Sequence, residues 1–286
     1  MARLLRSLIF VPGNNPRFLE KARTLPADIV CFDLEDSVPL NEKDAARNLI
    51  KETLAKRFEY KAEVYVRTNS PASGLIPDDL HNIVQKGIDG IVIPKVNNVK
   101  ELKKIEKLLV MLEKKRKLKP IELIPSIESA EGVVNAYNIV SSNKRISAVV
   151  FGVFDLLNDM GIEYTKQADG AKYARAKIPV DAKAAGKYAI DAIWQDLNDE
   201  SGLEQDCTIG RNLGYVGKSI IHPNQISITH RIFHPTKDEI DWAEKVCHAY
   251  MESTKKNKGA TIVEGKMIDE VHFKRAKALL DSVRNI

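Results

Sequence analysis

Several apolar, strand-like runs in this chain each end on a residue that could do chemistry. Residues 29–32 run into Asp33-Leu34-Glu35-Asp36, and 64–66 run into Arg67. Residues 90–93 run into Pro94-Lys95, 121–127 into Glu128, and 149–151 into Gly152 and then Asp155. One charged group at the end of a buried strand is unremarkable on its own. Repeated along the chain, the arrangement describes the carboxyl face of a parallel barrel, where strand ends converge. Two separated carboxylates, an acidic cluster and an arginine suit a divalent cation holding an anionic small molecule.

Each of these residues has a specific use and a bland alternative. Glu128 and Asp155 follow successive strands, so both carboxylates can reach one cation; otherwise they are exposed loop acids. Magnesium needs few protein carboxylates and fills its remaining sites with water and substrate oxygens. No Cys or His pair lies nearby, which argues against structural zinc. Arg67 has the planar fork that clamps a carboxylate, and it could equally pair with Glu35 or Asp36. Strand alternation sends Asp33 and Glu35 to one face, where their mutual repulsion calls for a cation or an arginine. Lys95 could be a Schiff-base amine, but an ion pair in the wall of the site suits it better. His222 could be a ligand, a base or a structural histidine.

These residues need a scaffold, and the chain alternates as one would. Strands are predicted at 8–11, 29–34, 64–66, 90–93, 121–127, 148–151, 189–193 and 219–221. Helices are predicted at 16–24, 42–58 (opened by Asn41), 78–86 (closed by Gly87), 99–117 and 132–140. In the long helix, Leu102, Ile105, Leu108, Leu109 and Leu112 fall on one face, so its lysines read as a solvated surface. Residues 161–185 read as an expanded, partly helical connection. Beyond the last strand, helices are expected at 239–251 and 269–283 with a polar, lysine-rich break at 254–259. The class is α/β: a (β/α)8 TIM barrel over 1–235, followed by a C-terminal helical lid or oligomerisation segment over 236–286.

Composition removes other classes. The chain has 286 residues and a net charge of +5, with 44 basic residues interspersed among 39 acidic ones, which is not a nucleic-acid footprint. Its 3 cysteines show neither pairing nor metal spacing, which fits a reducing compartment. Pro12-Gly13 interrupts the apolar N-terminus before it could serve as a signal peptide, and no run reaches the roughly 18 apolar residues of a membrane helix. A cytoplasmic protein with no membrane partner is expected. No G-x-S-x-G, P-loop or G-x-G-x-x-G occurs, against serine hydrolase, P-loop and dinucleotide chemistry.

Ordered motifs then carry a resemblance. They are Arg6-Ser7-Leu8-Ile9-Phe10-Val11-Pro12-Gly13, Asp33-Leu34-Glu35-Asp36-Ser37-Val38, Val66-Arg67-Thr68-Asn69, Ile93-Pro94-Lys95, Ile124-Pro125-Ser126-Ile127-Glu128, Phe151-Gly152-Val153-Phe154-Asp155, Gly217-Lys218-Ser219-Ile220-Ile221-His222-Pro223 and Gly265-Lys266-Met267-Ile268-Asp269. Over essentially its whole length the chain resembles the citrate lyase beta subunit family, which includes malyl-CoA and citramalyl-CoA lyases.

The resemblance implies a Mg2+-dependent carbon–carbon lyase that splits a 3-hydroxyacyl thioester into a thioester and a 2-oxo acid, or runs the reverse condensation. On it, Glu128 and Asp155 hold the metal. Arg67 binds the oxo-acid carboxylate, and Glu35 and Asp36 order metal waters and Arg67. Arg17, Lys21 and Phe10 meet CoA, and Phe154 borders the oxo-acid pocket. Asp269, on the lid, is an acid or base acting in a neighbouring subunit of a trimer or hexamer. Phe10, Phe154 and Glu270 depart from residues common in relatives: Phe10 lacks a hydroxyl for CoA, Phe154 narrows the pocket, and Glu270 alters the lid. The competing readings are a beta subunit acting on an acyl-carrier-protein thioester, a metal-dependent pyruvate aldolase without CoA, and a non-catalytic binding barrel.

Overall fold

The computed structural model describes residues 4–283 except Gln167, and resolves two compact units, Leu5–Phe233 and the segment from His234 onward. In the first, β1 (Ser7–Pro12), β2 (Ile29–Asp33), β3 (Glu63–Arg67), β4 (Gly90–Ile93), β5 (Glu122–Ile127), β6 (Ala148–Phe151), β7 (Tyr188–Asp191) and β8 (Gly217–Ile220) close into an 8-stranded parallel barrel in chain order. Around it run α1 (Pro16–Ala22), α2 (Lys43–Leu54), α3 (Ile76–Ile83), α4 (Val99–Arg116), α5 (Ala130–Ser141), α6 (Val153–Asp159), α7 (Lys172–Ala184), α8 (Glu200–Leu213) and α9 (Gln225–Phe233). The expected (β/α)8 class is what the chain adopts.

Period-2 alternation sorts the strand residues into two cores. Leu8, Ile29, Cys31, Tyr65, Val92, Ile124, Ala148, Val150 and Ile190 fill the barrel interior. Their strand neighbours Ile9, Val30, Phe32, Val64, Val66, Ile91 and Phe151 pack outward with the helices. The Tyr65 ring is fully buried inside the barrel, and its hydroxyl donates to Glu122 Oε1 at 2.8 Å. Gly90 makes room for it, because a Cβ there would lie 2.0 Å from the ring.

The departures from expectation have local causes. Helix α3 stops at Ile83, short of 86, because Gly87 must turn against the end of α2; a Cβ on Gly87 would meet Leu54 O at 2.1 Å. Helix α2 starts at Lys43 with no side-chain cap, so Asn41 does not open it. Helix α8 carries its own signals, an Asp199 N-cap and Gly214 in the left-handed conformation at its end. Strand β8 begins at Gly217, which lies so close to β1 that a Cβ would meet Leu5 O at 1.8 Å. This register makes Lys218 a strand residue. It is fully buried and ion-paired with Asp191 and Asp206, and Arg175 from α7 pairs with both acids. Such a cluster is costly to break one partner at a time.

The second unit contains α10 (Lys237–Lys255), the antiparallel pair β9 (Ala260–Val263) and β10 (Lys266–Asp269), and α11 (Glu270–Val283). Thr236 and Glu239 form a capping box on α10. A β-hairpin therefore follows the expected polar break, turning through Glu264-Gly265, both at positive φ as a two-residue hairpin turn favours. The final helix begins after Asp269 rather than on it. Among the described residues, no helix is long and apolar enough to cross a membrane.

Gly90→Ala is expected to lower stability by about 1–3 kcal/mol, since a fully enclosed tyrosine ring must shift to admit the methyl group. Urea unfolding checks this, and an unchanged midpoint at an unchanged slope would contradict it.

Candidate active site

The inward-facing residues change character at the carboxyl ends of the strands. On the parity of Ile29 and Cys31 comes Asp33; on that of Tyr65, Arg67; on that of Ile124 and Ser126, Glu128. Alternation thus carries the apolar filling up into a ring of charge. This ring lines a cavity of about 570 Å³ together with Phe10, Gly152, Phe154 and Asp155.

Asp33 and Arg67 are register partners on β2 and β3. Arg67 donates from Nε and Nη2 to the two Asp33 carboxylate oxygens at 2.6 and 2.7 Å. Asp33 also accepts from the Glu35 amide at 2.9 Å, the Ser37 amide at 3.1 Å and the Ser37 hydroxyl. Burial pushes the Asp33 carboxyl up, but the charge and hydrogen bonds of Arg67, with those of Ser37 and Glu35, outweigh it and hold it at about 2. The Arg67 guanidinium also stands 4.4 Å over the Phe10 ring, a cation–π contact. Asp33 is therefore the main anchor of Arg67; the expected pairing with Glu35 is present but longer, and among the described residues Asp36 pairs with Lys95 rather than with Arg67. The signal lay in shared parity and register rather than in sequence proximity.

Glu35 lies further from Arg67, with Oε2 3.3 Å from Nη1, and its Oε1 is 3.0 Å from Lys95 Nζ. Lys95 also reaches Asp36 and Asp155, each at 3.2 Å. Burial opposes the charge on the Lys95 amine, but Glu35, Asp36 and Asp155 prevail and hold it protonated above its ordinary range. The contacts of Lys95 are those of the ion-pair reading, and a Schiff-base role would need the opposite, a lowered amine. Burial raises the Glu35 carboxyl to about 7; Arg67 and Lys95 oppose the rise and Asp36 adds to it.

Glu128 is 5% exposed, and its Oε2 is buried without a hydrogen-bond partner among the described residues. It rests against Gly152, where a Cβ would lie 2.4 Å from Glu128 Cγ; nothing in the sequence pattern announces that requirement. Burial, then the charge of Glu35 and that of Asp155, push the Glu128 carboxyl up to about 8, against Arg67 and Lys95. Asp155 follows in the first turn of α6, with its side chain 40% exposed. An orphaned carboxylate oxygen among like charges fits a cation. Among the described residues no group of 3 or more His, Cys, Asp or Glu is arranged around a metal, and both Glu35 carboxylate oxygens lack a hydrogen-bond partner there as Glu128 Oε2 does.

The remaining candidates are placed as follows. Phe154 packs on Tyr164 with ring centroids 4.6 Å apart. Arg17 and Lys21 are exposed one turn apart on α1. His222 accepts the Asn224 amide through Nδ1 at 3.2 Å, a turn-forming role. In the other unit, Asp269 accepts the amides of Val271 and His272 at the start of α11 and contacts the His272 ring.

The profile of the HpcH/HpaI aldolase/citrate lyase family matches residues 6–223. A citrate lyase subunit beta from Leuconostoc mesenteroides subsp. cremoris is 35% identical, over 97% of this chain and 93% of that protein. Human mitochondrial citramalyl-CoA lyase is also 35% identical, over 95% of this chain and 83% of that protein. Among solved structures, protein CitE from Mycobacterium tuberculosis, in complex with magnesium, acetoacetate and coenzyme A, superimposes with a TM-score of 0.80 at 25% identity and 98% coverage of both chains. The chain is a lyase of the HpcH/HpaI aldolase/citrate lyase family.

Proposed function

We propose that the protein is a Mg2+-dependent carbon–carbon lyase that cleaves a 3-hydroxyacyl-CoA, such as malyl-CoA or citramalyl-CoA, into a 2-oxo acid and acetyl-CoA, or forms it by the reverse condensation. The observation that carries this reading is the partnerless Glu128 oxygen, in one cavity with Asp155 and a rigidly aimed Arg67. The solved relative in complex with magnesium, acetoacetate and coenzyme A supports it. A beta subunit working on a carrier-protein thioester is the second reading, because the citrate lyase and citramalyl-CoA lyase relatives are equally similar, at 35% identity each.

Glu128 and Asp155 would hold the magnesium, which when bound supplies Lewis acidity at the oxygen of the carbon being cleaved. Asp33 takes one N–H each from Nε and Nη2 of Arg67. The outer N–H of Nη2 and the N–H of Nη1 not directed at Glu35 would grip the oxo-acid carboxylate and its neighbouring oxygen. Asp33 and the Phe10 ring keep that fork from following the substrate, so its orientation costs nothing at the moment of reaction. Phe154, backed by Tyr164, closes the apolar side of the pocket. Lys95 keeps Glu35, Asp36 and Asp155 from repelling one another. Arg17 and Lys21 offer cations to the CoA phosphates. Asp269 serves the proton transfer at the carbon of the thioester enolate, from a lid that completes the site of a neighbouring subunit in a homo-oligomer.

Asp155→Asn and Glu128→Gln should each lower kcat/KM by about 10²–10⁴ and abolish the rise in melting temperature caused by Mg2+. Wild-type turnover by either variant at unchanged magnesium would refute the metal assignment. Charge reversal at Arg17 and Lys21 should raise KM for the CoA thioester about tenfold with kcat unchanged, equivalent to roughly 1.4 kcal/mol of binding. If KM stays put, the CoA-free aldolase becomes the better description.

A further inference from the structure

Helix α2 turns a helically spaced stripe toward the barrel, and two members of that stripe are cations. Ala46, Ile50 and Leu54 are its apolar part; Lys43 and Arg47, one turn apart, are 8% and 3% exposed. Lysine is seldom buried unless something pairs with it. The partners of Lys43 are neutral: Nζ donates to the backbone carbonyls of Leu34 at 2.5 Å and Glu35 at 2.7 Å. We infer that Lys43 is a positioning residue of the active site, which sets the place of Glu35 by gripping its backbone and through Glu35 aims Arg67. This rests on the function proposed above and deepens it, because Arg67 is the group that grips the oxo acid there.

The side chain of Glu35 does not fix its own position. Its oxygens lie 3.3 Å from Arg67 Nη1 and 3.0 Å from Lys95 Nζ, charge contacts in which neither oxygen has a hydrogen-bond partner among the described residues. The backbone does the placing, and it is held on both polar edges. On the amide edge, Leu34 N donates to Arg67 O at 2.9 Å, and the amides of Glu35 and Ser37 donate to the Asp33 carboxylate. On the carbonyl edge stands Lys43. An ammonium has three donors and can serve two carbonyls from one point, whereas an apolar residue continuing the stripe would withdraw that donor from both.

The charge of Lys43 fits the same role. Burial pushes its amine below the ordinary lysine range, and Asp33, Asp79, Glu35 and Asp36 oppose that shift. The amine thus adds positive charge near the acidic cluster while its hydrogen bonds go to carbonyls, which leaves the carboxylate oxygens to Arg67 and Lys95. Arg47 holds the next segment in the same way. Its Nε donates to Asp79 at 2.7 Å, and Asp79 accepts the amide of Asn69, two residues beyond Arg67, at 2.7 Å. One face of α2 therefore fixes the chain beyond β2 directly and the chain beyond β3 through Asp79 of α3.

The test is a double-mutant cycle in kcat/KM, on the full chain with whichever 3-hydroxyacyl-CoA the wild type turns over. Lys43→Met and Glu35→Gln should each lower kcat/KM about tenfold or more. The double variant should stay within about threefold of Glu35→Gln alone, since a residue that acts through Glu35 has nothing left to act on. Lys43→Gln, one atom shorter but still a donor, should lose less in the wild-type background and equally little beside Glu35→Gln. Wild-type kcat/KM in Lys43→Met would overturn the inference. Losses that multiply in the double variant would overturn it too, because they describe a lysine that serves the fold at large. A crystal structure judges it without turnover. In Lys43→Met, or in Lys43→Gln where the first variant does not fold, Glu35 should have left its contacts with Arg67 Nη1 and Lys95 Nζ; an unmoved Glu35 overturns the inference. If the wild type turns over no thioester, the failure is that of the proposed function, and the crystal structure alone decides on Lys43.

Discussion

The site depends on the two-pronged bond between Asp33 and Arg67. Both side chains are nearly enclosed, at 1% and 14% exposure, so each would be costly to bury alone. Together they satisfy each other, and the amides of Glu35 and Ser37 take up the remaining acceptor capacity of Asp33. The result is a guanidinium with one edge fixed by Asp33, a longer contact from Nη1 to Glu35, and a place in the lining of the cavity. The Asp33 carboxyl lies at about 2, below its ordinary 3.8, so the pair contributes its stability above about pH 4 and loses it as pH falls through 2. Across any range in which the enzyme works, this anchor does not titrate.

What titrates is the acidic group beside it. Burial pushes Glu35 and Glu128 up to about 7 and 8, with Asp36 adding to the first and Glu35 and Asp155 to the second. Lys95 offsets part of that repulsion by bridging Glu35, Asp36 and Asp155, and it does so from a left-handed backbone conformation (φ 53°) that a lysine rarely adopts. Strain of this kind persists where surrounding contacts over-determine it, and it clusters at functional sites. One ammonium shared among three carboxylates still leaves Glu128 with an oxygen that has no hydrogen-bond partner among the described residues. A cation is the economical solution to that imbalance, and the same imbalance would make binding sensitive to protonation.

Much of this was legible in the sequence because a barrel strand follows a simple rule. Apolar runs that end on charge, at matching parity, gave the staves and the ring above them. The same rule reaches Asp33, but the fork between Asp33 and Arg67 needs the register of two strands, which no single strand reveals. The requirements at Gly152, Gly90 and Gly217 are steric, set by a neighbour distant in sequence, so a lone glycine carries no such message. Helices α8 and α9 and the β9–β10 hairpin are weakly patterned. Cys207 and Gly210 stand where a stripe of large apolar residues would have announced α8, and Glu-Gly is a poorer turn signal than Asn-Gly. Lys218 defeats pattern reading altogether, because a lysine inside a strand reads as an edge until its acidic partners on β7 and α8 are known.

The positions of the candidate groups also divide by how firmly they are held. Asp33 and Arg67 end strands of a closed barrel, and Glu128 comes immediately after one; in such a sheet any displacement must break ladder bonds and disturb two packed cores. Asp155 and Asp269 instead stand where a strand gives way to a helix, at α6 and α11, and both remain substantially exposed. Binding an anionic oxo acid demands a fixed fork, because a loosely held arginine spends its interaction energy on ordering itself. Moving a proton demands a group that can meet a carbon atom only after the substrate has arrived. On the proposed function, a rigid ring for recognition and an exposed helix start for proton exchange are the arrangement that those two demands, taken together, would select.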